Sequence, residues 1–374
     1  MRTVKTVEYI WLDGAKPTGK IRSKTRLVNI PQTPKIDDFP EWSFDGSSTE
    51  QAYGGDSDCL LRPVNCVLDP LENGGDYLVL CEVLNPDGSV HESNTRAKLR
   101  AVLDNGGSKA EPWIGFEQEY TMFRRNIPLG WPEHGFPGKQ GPYYCGVGTE
   151  QIFGRDLANQ HRIACTKAGI LYYGMNAEVM PGQWEYQIGY RGVDGEDAGA
   201  LNAADHTWFA RWLIHRLSEE YNIHISHDNK PVKGDWNGAG MHTNFSTKDL
   251  RDPKKGLKTM QNYIERLKIT HAKHIAHYGD RLEERLTGTH ETSAIHEFSV
   301  GEANRGSSIR IPRPVVIKGY GYIEDRRPGA NADPYTVAAL IISTVCNIKF
   351  NIYPRIVIAF WYGRQNFGSF QVSV

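Results

Sequence analysis

The chain has 374 residues, with 43 Lys and Arg against 44 Asp and Glu, a formal net charge of −1. That balance gives no bulk attraction to nucleic acid or to an anionic membrane surface. With 23% charged and 39% hydrophobic residues the composition is globular and excludes wholesale disorder.

At ~150 residues per domain, the length gives a prior of about two to three domains. The first residues, Met1 to Glu8, turn polar before any apolar run long enough for a signal peptide. No stretch reaches the ~18 uninterrupted apolar residues of a membrane span. The nearest, 337–361, is broken by Asn347, Lys349, Asn351, Pro354 and Arg355. Cys59, Cys66, Cys81, Cys145, Cys165 and Cys346 form no C-x-x-C pair and are too sparse for a disulfide scaffold, so reduced, mostly buried thiols are expected. The expectation is a soluble, cytoplasmic protein with neither nucleic acid nor membrane as partner.

Residues 1–95 read as short strands joined by turns. Tyr9-Ile-Trp-Leu12 ends at Asp13-Gly14, Tyr77-Leu-Val-Leu-Cys81 follows Asn73-Gly-Gly75, and another turn falls at Pro86-Asp-Gly88. From Thr95 the period changes to that of a helix, with Ala97, Leu99, Val102 and Leu103 apolar. Two long amphipathic helices are predicted further on. One covers 197–221, with Leu201, Ala204, Trp208, Trp212, Leu213 and Leu217 on its stripe; the other covers 256–278, with Leu257, Met260, Ile264, Leu267 and Ile275, stopped by Gly279. An α+β chain follows, with a small β-rich domain over 1–95 and a larger catalytic domain over 96–374.

The acids carry the chemistry. Along Trp113-Ile-Gly-Phe-Glu-Gln-Glu-Tyr-Thr-Met-Phe123, Ile114, Phe116, Tyr120 and Met122 share one strand face while Glu117 and Glu119 share the other. Residues two apart on a strand lie ~6.6 Å apart and point the same way. Carboxylates held so repel unless they are solvated or bridged by a cation. The arrangement recurs. Glu185 alternates against Trp184 and Tyr186, with Glu178 beyond the Met180-Pro-Gly182 turn. His242, Asn244 and Ser246 form a polar face opposite Met241, Thr243 and Phe245, and Glu324 and Arg326 share a side with Tyr320 and Tyr322. One such face reads as a wet surface, but four argue for a site.

Five carboxylates and one imidazole are a hard-oxygen set, suited to Mg²⁺ or Mn²⁺ rather than to structural zinc. Arg285, Arg305, Arg310, Arg313, Arg326 and Arg327 gather in the last third, and a guanidinium fork beside metals suits carboxylates and phosphoryl groups. No G-x-x-x-x-G-K-[ST], G-x-G-x-x-G or G-x-S-x-G is present, and His290-Glu291 has its next histidine at His296, too far along for a zincin helix. On the residues alone, a Mg²⁺-dependent phosphoryl-transfer enzyme is favoured over a metal hydrolase.

Seven segments together resemble the eukaryotic-type (type II) glutamine synthetases. They are Glu41-Trp-Ser-Phe-Asp-Gly-Ser-Ser-Thr49, Gly115-Phe-Glu-Gln-Glu-Tyr120, Asn176-Ala-Glu-Val-Met-Pro-Gly-Gln-Trp-Glu185, Trp236-Asn-Gly-Ala-Gly-Met-His-Thr-Asn-Phe-Ser246, Leu286-Thr-Gly-Thr-His-Glu-Thr-Ser293, Ala303-Asn-Arg-Gly-Ser-Ser-Ile-Arg-Ile-Pro-Arg313 and Glu324-Asp-Arg-Arg-Pro328. The resemblance runs from about Val7 to about Cys346. It implies a β-grasp domain followed by a catalytic domain with an open, barrel-like sheet and flanking helices. It also implies a decamer of two pentameric rings with active sites between subunits.

By motif position the resemblance implies one metal held by Glu119, Glu178 and Glu185 and another by Glu117, His242 and Glu324, with two or three Mg²⁺ (or Mn²⁺) per site. Asn237, Gly238, His242 and Arg285 would bind glutamate. Trp113, Glu185, Asn244, Ser246, Arg310 and Tyr322 would bind ATP, and Arg305 and Arg326 would contact the transferred phosphoryl group. Asp45, given by the neighbouring subunit with Ser48 beside it, would take the proton of ammonium, and Glu291 would close over the site. The implied reaction makes glutamine from glutamate, ammonium and ATP through γ-glutamyl phosphate.

A ligase using another amine, such as methylamine or a polyamine, is the nearest alternative; a silent structural relative would have lost metal ligands, and all six are present. Two departures stand out. The chain begins almost at its first strand, without the helical leader common in eukaryotic relatives, and the tail beyond Cys346, with Ile356-Val-Ile-Ala-Phe-Trp361, is unlike the family ending.

Overall fold

The structure is a computed structural model, described over residues 1–71 and 76–350. The Asn73-Gly-Gly75 turn and the 356–361 segment lie outside the described residues.

The first strands, β1 (Arg2–Leu12), β2 (Ile21–Pro31), β3 (Trp42–Asp45), β4 (Asp58–Leu68) and β5 (Tyr77–Leu84), form a five-stranded sheet in the order β2-β1-β5-β4-β3. β1 and β5 are parallel neighbours at its centre, and the other pairs are antiparallel. The near-continuous apolar run of β5 follows from that place, because a central strand is covered on both faces. Val7, Tyr9, Trp11, Val79, Cys81 and Val83 fill a small core on one side. Ile10, Val67, Leu78 and Leu80 face the other way and join the core of the larger body.

That body begins with α1 (Thr95–Asp104), capped by the Asn94 side chain accepting from the Ala97 amide at 3.0 Å. Its sheet is built on β6 (Trp113–Arg124), with the short β7 (Ile127–Pro128) turned back on it. Then come α2 (Arg155–Lys167), β8 (Tyr172–Ala177), β9 (Gln183–Ile188), α3 (Ala200–Glu220), β10 (His224–Ser226), β11 (Met241–Ser246), α4 (Lys248–Arg251), α5 (Gly256–Ile269) and α6 (His271–Ile275). β12 (Val300–Glu302), β13 (Ile309–Ile311), α7 (Arg313–Lys318), β14 (Ile323–Asp325) and α8 (Pro334–Val345) complete it. The nine-stranded sheet runs β12-β13-β14-β11-β6-β9-β8, with β7 and β10 also on β6.

Two sequence expectations need correction. The helix predicted over 256–278 is two: α5 stops at Ile269 and α6 restarts at His271. Thr270 breaks it, its hydroxyl donating back to the Arg266 carbonyl at 2.9 Å while its backbone leaves the helical region at φ −97, ψ 11. Leu257, assigned to the buried stripe, is 58% exposed. The cysteines are all free, but only Cys59, Cys81 and Cys165 are buried, and Cys145 is exposed. The apolar run starting at Val337 is α8, a helix buried almost all round. Among the described residues no helix is long and apolar enough to cross a membrane.

One buried charge network ties the small sheet to the body. Arg96 on α1 forks onto both oxygens of Asp205 on α3 at 2.8 and 2.9 Å and reaches Glu82 on β5 at 2.9 Å. The Tyr335 hydroxyl donates to Asp205 at 2.6 Å, and Asn65 on β4 donates to it at 2.9 Å.

Candidate active site

The register of the large sheet brings the acid-bearing strands together. All four lie side by side in the order β14-β11-β6-β9. Glu117 on β6 is opposite His242 on β11, Glu119 is opposite Glu185 on β9, and Glu324 on β14 is opposite both Asn244 on β11 and Arg310 on β13. Because side chains alternate, these residues share one face, while Ile114, Phe116, Tyr120 and Met122 are buried on the other. From that face Glu117, Glu119, Glu185 and His242 line a cleft of about 550 Å³ that also takes in Glu178, Asn237, Gly238, Arg285, Glu291, Arg305, Arg310 and Arg326, the last two held by Glu324.

The carboxylates are buried and close. Glu119, Glu178, Glu185 and Glu324 are each under a tenth exposed. Burial, opposed by Arg285, pushes the Glu119 carboxyl up to about 7. Burial and then the charge of Glu119 push Glu178 up to about 8, and burial with Glu117 beside it raises Glu185 well above the usual carboxylate range. Acids that resist ionising without a cation are suited to receiving one.

Ligand atoms of Glu117, His242 and Glu324 lie within 4.8 Å of one another, and so do those of Glu119, Glu185 and His242. The second group differs from the expected trio, since Glu178 stands aside with Asn176 donating to it at 2.8 Å. The oxygen-rich donor set fits a hard divalent cation. Burial lowers the His242 pKa well below its ordinary value, helped by Arg326 and Arg285, so the imidazole is neutral.

The arginines face this wall. Arg310 and Arg326 each take one oxygen of Glu324, both at 2.6 Å. Arg326 also donates to the Arg305 carbonyl at 2.8 Å, which fixes the loop carrying that arginine. Arg285 is 5% exposed and donates to His242 Nε2 at 2.9 Å. Two glycines leave it room: a Cβ on Gly238 would stand 2.8 Å from Arg285 Cγ, and one on Gly240 would meet the Arg285 guanidinium and lie 3.1 Å from His242 Nε2.

Trp113, Asn244, Ser246 and Tyr322 are not among the residues lining the cleft. Asn244 donates to Glu117 at 2.8 Å, Ser246 donates to the Gly321 carbonyl at 2.5 Å, and Tyr322 is 41% exposed beside them. Trp113, at the start of β6, packs against Tyr190 with the rings tilted 42° apart, and the Arg251 guanidinium lies 4.0 Å above its ring. Glu291 is exposed over the cleft, and both it and His290 hold left-handed backbone at φ 59 and 51.

Asp45 is not among the cleft residues of its own chain. It sits exposed at the end of β3, where it accepts from the Ser47 amide at 3.0 Å and from the Ser47 and Ser48 hydroxyls at 2.6 and 2.7 Å. Those bonds, the Ser47 hydroxyl's foremost, pull its carboxyl down to about 2.

Sequence reasoning missed Gln140, Tyr144, Asn176, Gln183 and Gln187. Gln187 donates to Glu185 at 2.5 Å, and Gln183 donates to the Gly238 carbonyl at 2.9 Å. Neutral amides carry no charge pattern; alternation with Glu185 along β9 was the available signal for Gln183 and Gln187.

Family comparison agrees with this architecture. The description "Glutamine synthetase, beta-Grasp domain" matches residues 3–86, and "Glutamine synthetase, catalytic domain" matches residues 92–355. The chain is 53% identical over 348 residues to a chloroplastic glutamine synthetase of Chlamydomonas reinhardtii, covering 90% of each. It is 50% identical over 341 residues to a Streptomyces viridochromogenes glutamine synthetase, covering 91% of this chain and 96% of the relative. A third, from Emericella nidulans, is 49% identical over 340 residues, covering 91% and 92%. A β-grasp sheet joined to a catalytic sheet with an acid-walled cleft defines an α+β enzyme of the ligase class. The chain belongs to the glutamine synthetase family.

Proposed function

We propose that the cleft joins ammonia to the side-chain carboxylate of L-glutamate, with ATP cleaved to ADP and phosphate. The observation that carries the reading is the sheet register, which sets Glu117, Glu119, Glu185 and His242 in one cleft with Arg285, Arg310 and Arg326, the last two paired with Glu324.

Glu117, His242 and Glu324 would hold one divalent cation and Glu119, Glu185 and the adjacent Glu178 another, as Mg²⁺ or Mn²⁺, with two or three ions per site. The cations would neutralise charge on the phosphates. Arg285, buried beside Asn237 and Gly238, pairs with the glutamate α-carboxylate through its fork. That leaves the side-chain carboxylate toward Arg326 and Arg305, which orient and neutralise the γ-phosphate under in-line attack. Arg310 contacts the nucleotide phosphates, and Trp113, Asn244, Ser246 and Tyr322 bound the nucleotide side, with Glu185 reaching it. Ammonia then displaces phosphate from the acyl phosphate. Asp45, fully ionised at neutral pH, attracts ammonium and takes its proton when supplied by a neighbouring subunit, and Glu291 closes the cleft. This requires an oligomer, and we take it to be a decamer of two pentameric rings in the cytoplasm.

The test is phosphate release from ATP and glutamate, compared with ammonium, methylamine and no amine. Ammonium should give glutamine and phosphate in equal amounts. Phosphate release independent of glutamate would overturn the reading, and preference for methylamine would move it to another amine.

A further inference from the structure

The cleft's two rims, the Asn237–Gly238 loop and the His290–Glu291 segment, are joined by one side chain that the roles above do not use. Gln140 lies in the loop between β7 and α2 and lines the cleft. Its loop is pinned from below: the Gly141 amide donates to the Val179 carbonyl at 2.9 Å and the Cys145 amide to the Ala177 carbonyl at 3.0 Å.

The Gln140 Oε1 accepts from the Asn237 amide at 2.9 Å, and its Nε2 lies 3.0 Å from His290 Nδ1. A backbone amide can only donate, so the Gln140 oxygen must face Asn237 and its nitrogen must face His290. His290 Nδ1 is then the acceptor, which puts the imidazole proton on Nε2, 2.8 Å from an Asp235 carboxylate oxygen. The chain of donors and acceptors Asn237–Gln140–His290–Asp235 closes on itself, because Asp235 and Asn237 are two residues apart.

Opposite the latch, the Arg326 guanidinium donates to the Glu291 carbonyl at 3.4 Å, a long bond. His290 and Glu291 both occupy a left-handed backbone region that non-glycine residues adopt at a cost, so the segment needs outside support to keep this shape. Gln140 supplies it.

We propose that Gln140 is a positioning residue that latches the His290–Glu291 segment to the Asn237–Gly238 loop, so that the two rims of the glutamate subsite are held as one unit. The proposal rests on the ligase reading. Unlatched, the rim admits water. Water in place of ammonia then attacks the acyl carbon, the acyl C–O bond to phosphate breaks, and glutamate and phosphate are returned with no amide formed.

The experiment measures glutamate KM and the ratio of phosphate released to glutamine formed, in the full chain and in Gln140→Ala, Gln140→Glu, His290→Ala and the Gln140→Ala/His290→Ala double variant. Gln140→Ala should raise glutamate KM about tenfold, the scale of one or two lost hydrogen bonds, and release phosphate in excess of glutamine. Gln140→Glu keeps the shape and the acceptor for Asn237, and His290 can donate to the new carboxylate from Nδ1, so it should raise KM and leak phosphate less than Gln140→Ala. The double variant should leak no more than Gln140→Ala alone, because one latch is broken once. Leaks that multiply in the double variant, or variants that keep phosphate and glutamine equal, overturn the latch. A wild-type chain that makes no glutamine overturns the ligase reading instead.

Discussion

Glu119 on β6 and Glu185 on β9 are register partners, directly opposite on adjacent strands and each 6% exposed. Their strands are hydrogen-bonded along both sides of the pair, so the carboxylates cannot retreat from each other by moving backbone. Glu119 accepts from the Gly240 amide and Glu185 from Gln187, and without a cation further relief comes from a proton.

The pH dependence of the metal-free protein follows. The folded-state value for Glu119 is raised from 4.5 to about 7 and for Glu178 from 4.5 to about 8, so the folded state binds protons more tightly than the unfolded chain. That stabilisation is full below the unfolded value and is lost as pH rises through the folded ones. The unfolding free energy of the chelator-treated protein, read from denaturant titrations, should therefore fall between pH 5 and about 8, by several kcal/mol. Saturating Mg²⁺ or Mn²⁺ should flatten the decline. A midpoint that rises with pH in chelator would contradict the buried acid wall.

Arg326→Lys keeps the charge opposite Glu324 but removes the planar fork. The variant should fold, and ATP cleavage in the presence of glutamate should fall by about a hundredfold or more, in kcat rather than in ATP KM. Single-turnover phosphate release with saturating ATP would read this directly. Arg326→Ala should also destabilise, by roughly 3–5 kcal/mol, since it leaves the buried Glu324 with one partner fewer.

Asp45→Asn preserves the acceptor for the Ser47 amide and the turn it caps, so thermal unfolding should not move. Ammonium KM should rise sharply while ATP binding stays unchanged; equal loss of both would remove Asp45 from the amine step. Inactive Asp45→Ala and Glu185→Gln chains, co-assembled, should regain partial activity if each site takes its aspartate from a neighbour.

Gly240→Ala places a methyl against the Arg285 guanidinium and His242. Arg285 must turn aside, so glutamate KM should rise about tenfold or more while ATP binding in the absence of glutamate is retained. Isothermal titration with each ligand separates the two.

Asp205→Ala should destabilise the protein by roughly 3–5 kcal/mol, because the buried Arg96 guanidinium loses its fork and keeps Glu82 alone as its ion-pair partner. Limited proteolysis should then cut first between the small sheet and the body.

The central strand was legible because its polarity alternates with a period of two, which assigns each residue to a face wherever no bulge intervenes. Glu117, Glu119, Glu185, His242 and Glu324 were found that way before any contact was known. The pairing of Glu324 with Arg310 was not, because it depends on β13, three residues long and too short to carry a pattern. The Arg96–Asp205 fork joins positions 109 apart, and nothing local marks either residue as buried. The break at Thr270 is a side-chain bond to its own backbone inside an otherwise helical stripe. Gln140 is a neutral amide in a loop, where neither charge nor period gives a signal.

β6 is twelve residues long and paired on both flanks through its acid-bearing stretch. The interval from Glu117 to Glu119 is therefore a covalent constant, one pleat of backbone, and not a compromise among side chains. It serves as a ruler whose length neither partner strand can alter. A single-residue insertion or deletion between Trp113 and Glu117 would not weaken this site by degrees. It would send both carboxylates to the apolar face and bring Phe116 and Gln118 into the cleft.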